Sequence, residues 1–149
     1  MKIPVEVHWQ RDGAVFTDKR YSRAHTWRFD GGAVVAASAS PHIVPLPYSV
    51  EANVDPEEAY VAAISSCHML TFLSLAAPKQ IVVESYIDHA TGTMEKVDGK
   101  LVVSRVALKP TIVYAGEKPS AALEAELHHM AHEQCFIANS VKTEIQVVA

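Results

Sequence analysis

The sequence predicts an α+β fold. Three observations carry that expectation. Short segments at both ends alternate apolar and polar residues, as half-buried strands do. One long apolar stretch in the middle opens with a helix cap and closes at a proline. A second capped segment with helical periodicity comes before the last strand. Strands, helix, strands, helix, strand, with no repeat and no linker, describe a single domain over residues 1–149. A chain of 149 residues is long enough to bury a core without staples.

The elements follow in order. Val5, Val7 and Trp9 alternate with Glu6 and His8, and Asp12-Gly13 makes a turn. Thr26 to Asp30 alternates again, Gly31-Gly32 turns the chain, and Ala33 to Ala37 completes a hairpin. Ser40 to Pro47 contains three prolines and reads as loop. Asp55 is placed as N-cap, Pro56 fits the first helical position, and Glu58 completes a capping box. Glu57 and Glu58 suit the positive end of the helix dipole. This helix should run to about Ala77, before Pro78. It is apolar nearly all round, which predicts burial on most faces and a partner subunit to provide it. Ile81 to Ala90 and Leu101 to Tyr114 read as strands flanking a turn at Val97-Asp98-Gly99. Ser120 caps a second helix with Leu123, Leu127, Met130 and Ala131 on one face, and Ser140 to Val148 gives a last strand.

Composition narrows the function classes. Hydrophobic residues make up 49% and charged residues 20%, ordinary for a soluble globular protein. A net charge of −4 with no basic run argues against nucleic acid and anionic membrane as partners. Tyr60 to Ala77 carries no formal charge, but Ser65, Ser66, His68, Thr71 and Ser74 interrupt it, so a buried helix is expected rather than a membrane span. The N-terminal segment reads as a strand and not a signal peptide, which predicts a cytoplasmic protein with reduced cysteines.

Those cysteines are Cys67, at the step Ser65-Ser66-Cys67-His68, and Cys135, closing the histidine-rich stretch from His128. Two thiols that meet in space can do peroxide or disulfide chemistry; two that do not are packing atoms. Cys67 sits mid-helix, more than two turns from the positive end, so the dipole helps it little and reactivity needs an outside cation. The bland reading competes, because free cysteine is among the most buried residue types.

Asn53-Val54-Asp55-Pro56-Glu57-Glu58 followed by Ala62-Ala63-Ile64-Ser65-Ser66-Cys67-His68 resembles the central helix of the osmotically inducible protein C and organic hydroperoxide resistance (OsmC/Ohr) family. Cys135-Phe136-Ile137-Ala138-Asn139-Ser140 is similar to the segment carrying that family's second cysteine, although many members have Pro where Phe136 stands. The resemblance runs along essentially the whole chain. It implies antiparallel strands packed around a long buried central helix, in an intertwined homodimer. It implies a thiol-dependent peroxidase needing no cofactor: Cys67 attacks an organic hydroperoxide, or hydrogen peroxide, and becomes a sulfenic acid. Cys135 resolves it to a disulfide, and an external dithiol, such as one of lipoyl type, reduces it. Arg23 would lower the thiol pKa and polarise the peroxide, with Glu57 orienting the guanidinium. Arg20 is also close enough; Tyr21-Ser22-Arg23 matches the local pattern of one branch and favours Arg23.

Ten residues of helix rise roughly 15 Å, so Glu57 cannot touch Cys67 of its own helix. If both serve one site, the glutamate must come from another subunit. Phe72, Leu73, His68 and Phe136 are candidates to line a substrate pocket, with Phe72 and Leu73 core residues by default. His128, His132 and Cys135 fall on one helical face at i, i+4 and i+7, usable spacing for Zn²⁺. A non-catalytic protein binding a metal there, or an apolar ligand, is the alternative function.

Overall fold

The structure is a computed structural model, and it describes residues 1–148. The chain falls into two units, Met1–Ala59 and Tyr60–Ala149. In the first unit, strands β1 (Val5–His8), β2 (His25–Phe29) and β3 (Val34–Ala37) form an antiparallel sheet in that order. Val7 lies opposite Trp27, and Trp27 opposite Val35. The β2–β3 turn needs Gly32, whose φ of 100° suits glycine. Beyond β3 the proline-bearing loop is tied down by its serines. The Ser38 hydroxyl accepts the Val50 N–H at 2.9 Å, and the Ser49 hydroxyl donates to the Val44 carbonyl at 2.7 Å.

Helix α1 (Pro56–Ala76) starts in the first unit and runs through the second. The capping box is formed in both directions. The Glu58 N–H donates to Asp55 Oδ1 at 2.9 Å, and the Asp55 N–H to Glu58 Oε1 at 3.0 Å. A 3-10 turn at Ala77–Lys79 ends it.

The second unit continues with β4 (Val82–Asp88), β5 (Thr91–Val97), β6 (Lys100–Leu108), β7 (Pro110–Ala115), helix α2 (Ala121–Gln134) and β8 (Glu144–Val147). There are therefore four strands between the helices where the sequence reading gave two. Lys109 separates β6 from β7, and Thr91–Val97 pairs with β6 across the expected turn, where Asp98 and Gly99 both have positive φ. β4 and β7 form an antiparallel pair; β5, β6 and β8 form a sheet in which β6 and β8 run parallel. The final strand is shorter than expected, because a 3-10 turn occupies Ala138–Ser140.

Two clusters fill this unit. Phe72, Ala76, Leu127 and Ala131 pack α1 on α2 over β4 and β7. Ile64, Val106 and Leu108 pack the first half of α1 on the larger sheet, joined by Ile137 and Ile145. α1 passes so close to β5 that a Cβ on Gly92 would lie 2.6 Å from Val61 Cγ2. The helix is not covered on most faces within one chain. Only the stripe Ile64, His68, Phe72 and Ala76 is buried, while Ala62, Ala63, Ser66 and Leu70 stay exposed, Leu70 at 60%. Within the second unit, α2 and the sheets pack on that buried stripe. By length and hydropathy alone, Pro56–Lys79 would also suffice to cross a membrane.

Candidate functional site

The second unit brings the two cysteines together. Cys67 lies mid-α1, half-buried, and Cys135 is the C-cap of α2, 1% exposed, its N–H bonded to the Ala131 carbonyl at 2.9 Å. Ile137 docks in the cluster with Ile64, one turn before Cys67, and this anchors the segment after α2 against α1. Asn139 and Ser140 fold that segment. The Asn139 side-chain amide donates to the carbonyls of Glu133 (2.8 Å) and Cys135 (2.9 Å), and the Ser140 hydroxyl to the Phe136 carbonyl at 2.7 Å. The two thiols are then close enough to influence each other's acidity.

Their environments push them apart in acidity. Burial alone would raise the Cys67 thiol. Hydrogen bonds from the Cys135 thiol, from the Ile137 and Phe136 N–H groups and from the Thr71 hydroxyl outweigh it, so the pKa falls below the ordinary thiol value. Thr71 here donates to the Cys67 carbonyl at 2.8 Å and can turn to the sulfur. Cys135 is raised, first by burial and then by its bond to Cys67, against the opposing Ala138 N–H at 3.4 Å. The surroundings of Cys67 therefore favour its thiolate, and those of Cys135 oppose one.

Arg23 and Glu57 both belong to the first unit. The Arg23 guanidinium donates from Nη1 to the carbonyls of Lys19 (2.8 Å) and Tyr21 (2.5 Å), and its carbon lies 3.6 Å from the centre of the Tyr21 ring. Tyr21 stacks in turn on Phe16 at 4.6 Å. Arg20 is exposed and uses only its backbone N–H, on Asp18. No ion pair joins Arg23 to Glu57 among the described residues. Glu57 is half-buried, and its pKa is raised by burial first and then by its hydrogen bond with Asp55.

The pocket candidates divide. Phe136 is 83% exposed directly beside the thiols. Phe72 is fully buried and Leu73 packs against the same cluster, so within this chain both are core, as their default reading had it. His68 turns inward instead of lining a pocket: its Nε2 meets His128 Nδ1 at 3.0 Å, and Phe72 packs on His128 at 4.5 Å between ring centres. Burial, then the neighbouring His128, lowers the His68 pKa to about 4. With His128 turned to His68 and Cys135 to Cys67, the proposed metal ligands are not assembled. No group of three His, Cys, Asp or Glu side chains converges among the described residues. His128 and His132 instead border a groove of about 480 Å³, with Glu124, Ile145 and Val147, that touches neither thiol. The sequence reading missed the amides of Phe136 and Ile137, the His68–His128 contact and Thr71; of these only Thr71, at i+4 from Cys67, had a positional signal.

The sequence profile of OsmC-like proteins matches residues 50–149. No curated protein matches the chain. A solved OsmC-like protein of unknown function from Vibrio cholerae is 56% identical, with a TM-score of 0.96 over 99% of this chain and 98% of that one. An organic hydroperoxide resistance protein from Legionella pneumophila is 16% identical, with a TM-score of 0.68 over 100% and 98% of the two chains. The organic hydroperoxide resistance protein OhrB of Bacillus subtilis is 15% identical, with a TM-score of 0.69 over 99% and 98%. At such identities these two show a common fold. The profile match, the 56% identical structure and the agreement of fold along the chain lead to one conclusion: this chain belongs to the OsmC-like protein family.

Proposed function

We propose that the protein is a thiol-dependent peroxidase that reduces organic hydroperoxides, with Cys67 as nucleophile and Cys135 as resolving cysteine. One observation carries this reading: the two cysteines, far apart in sequence, are neighbours in the fold, in surroundings that lower the Cys67 thiol and raise that of Cys135. That division suits a nucleophile and the thiol that waits for it. The organic hydroperoxide resistance proteins among the fold relatives support it.

The Cys67 thiolate attacks the distal peroxide oxygen. An S–O bond forms, the O–O bond breaks, and the alkoxide leaves as the alcohol after taking a proton. Cys67 is then a sulfenic acid. The Cys135 sulfur attacks that sulfur, forming the disulfide and releasing water. A dithiol reductant, of lipoyl type in this reading, restores both thiols by exchange. Exposed Phe136 offers apolar surface to an alkyl chain. In this reading Arg23 polarises the peroxide and Glu57 orients the guanidinium; the length of helix between Glu57 and Cys67 supports a glutamate supplied by the second subunit of a cytoplasmic homodimer, which would also cover the open side of α1.

One equivalent of an organic hydroperoxide should consume both thiols and yield the intramolecular disulfide. Cys67→Ser should abolish turnover, and Cys135→Ser should complete one turnover and then stop as sulfenic acid, detected by a dimedone adduct. A Cys67→Ser protein that keeps wild-type turnover with a dithiol would overturn the assignment.

A further inference from the structure

We propose that Tyr21 is a positioning residue of the peroxidase: the face of its ring holds the Arg23 guanidinium and leaves one chosen edge of it free for the reactants. What Arg23 does in the reaction rests on the reading above; how it is held rests on the first unit alone.

The Arg23 main chain is fixed on both sides. Its N–H donates to the Tyr48 carbonyl at 2.8 Å. Its carbonyl meets His25 Nδ1 at 2.8 Å, and the other side of that imidazole sets the direction of the bond. The Trp27 indole N–H, which can only donate, takes His25 Nε2 at 3.1 Å, so Nδ1 carries the proton and gives it to the Arg23 carbonyl. The side chain has further torsions of its own, and an arginine left in water keeps that freedom. Here its far end is held. Nη1 donates to the Lys19 and Tyr21 carbonyls, and Cζ stands 3.6 Å from the centre of the Tyr21 ring, well within the range of a cation–π contact. The ring is held in turn. Phe16 stacks on it at 4.6 Å with 15° between the planes, and Trp9 meets it edge-on at 5.5 Å. Trp9 is tied to the same segment by its indole N–H, which donates to the Ser22 carbonyl at 2.8 Å. With Nη1 spent on two carbonyls, Nε and Nη2 meet no acceptor among the described residues. Those two nitrogens share one edge of the guanidinium, and such an edge grips a carboxylate by two parallel hydrogen bonds. That is the edge the mechanism asks for, toward Glu57 and the peroxide. The platform uses the face of the ring, so the hydroxyl of Tyr21 is dispensable and its π system is not.

The test compares Tyr21→Phe, which keeps the ring, with Tyr21→Leu, which keeps apolar bulk without a π face. The first readout needs no turnover: the proton resonance of the Arg23 Nε–H, identified by its absence from Arg23→Ala. The ring current should place it upfield of the other arginines in the wild type and in Tyr21→Phe, and Tyr21→Leu should return it to their range. The second readout is kcat/KM for cumene hydroperoxide with a dithiol reductant. We expect Tyr21→Leu to lower it about fivefold and Tyr21→Phe to stay within about twofold of the wild type. Because Tyr21 acts through Arg23, adding Tyr21→Leu to Arg23→Ala should lower the residual rate no further. A wild-type resonance with no upfield shift would overturn the platform. An unchanged kcat/KM in Tyr21→Leu would overturn the positioning role, and so would a further fivefold loss in the Arg23→Ala background, which marks damage to the fold. If Tyr21→Leu does not fold, the wild-type resonance still decides the platform, and Phe16→Leu, at a largely exposed position, carries the kinetic comparison with a smaller loss. A shifted resonance in a protein that never consumes peroxide keeps the platform and removes the peroxidase; an active wild type with an unshifted resonance does the reverse.

Discussion

The buried histidine pair makes stability fall in mild acid, and His68 allows the size to be worked out. His68 is 2% exposed, and its folded pKa of about 4 lies below the ordinary histidine value of 6.5. The cause is burial first, then the charge that His128 and His132 would place beside it; Asp88 opposes them. Between pH 6.5 and 4 the unfolded chain binds a proton at this position and the folded chain does not. Stability therefore rises with pH across that window and is lost as pH falls through it. A difference of about 2.5 units at 1.36 kcal/mol each gives about 3 kcal/mol for His68 alone. That is a large share of the 5–15 kcal/mol typical of a domain. His128, also lowered by burial against the opposing charges of Glu124 and Asp88, adds in the same direction.

The assay is urea unfolding at fixed protein concentration from pH 7 to pH 4, for the wild type and His68→Gln. Glutamine keeps a donor and an acceptor toward His128 but does not titrate, so it removes the pH slope whatever it does to the absolute stability. Glu57 works with the opposite sign, since a raised carboxyl stabilises the folded state at low pH, but it is common to both proteins and cancels. We expect the wild type to lose about 3 kcal/mol more than His68→Gln between pH 6.5 and 4. Parallel curves would show that His68 is protonated in the folded protein and that its burial against His128 is not what the structure describes.

Three further outcomes are expected. Gly92→Ala should destabilise the protein by about 1–3 kcal/mol in urea unfolding, because the new methyl meets Val61 Cγ2 at 2.6 Å, and Val61→Ala added to it should recover part of the loss. Asp55→Ala should cost about 1 kcal/mol by removing the acceptor of the Glu58 N–H, with a smaller loss in Glu58→Gln, which keeps the reciprocal bond. Refolding inactive Cys67→Ser together with inactive Glu57→Ala should restore part of the peroxidase activity, since mixed dimers hold one site with both groups; a mixture no more active than its parents would mean that Glu57 serves its own chain or no site.

Much of the fold was legible because the signals were local. Asp55-Pro56-Glu57-Glu58 marks a helix start whose two reciprocal hydrogen bonds are both present, and Ser120 accepts from the Leu123 N–H as a cap should. The region between the helices was misread for two physical reasons. Thr91 to Val97 contains a glycine that weakens a strand by propensity, yet Gly92 is there because α1 passes too close for any side chain. Leu101 to Tyr114 reads as one apolar run, but Pro110 cannot donate to a ladder and begins a new strand, as proline does at strand starts. Both corrections depend on a neighbour distant in sequence. So does the fate of the long helix: its all-round apolar character was plain, and which side stays open depends on where α2 and the sheets lie.

The candidate site divides along the same line, between what side chains announce and what the backbone supplies. Cys67 and Cys135 stand out as the two thiols in the chain, and the resemblance of the segments around them to one family is what suggested that they meet. The groups that separate their acidities do not stand out, because a peptide N–H belongs to every residue except proline. What the sequence does contain is the means of folding the turn after α2: Asn139 and Ser140 to occupy its carbonyls, and Ile137 to dock it in the core. None of the three is a chemical group of the reaction, and each would pass as a loop or core residue.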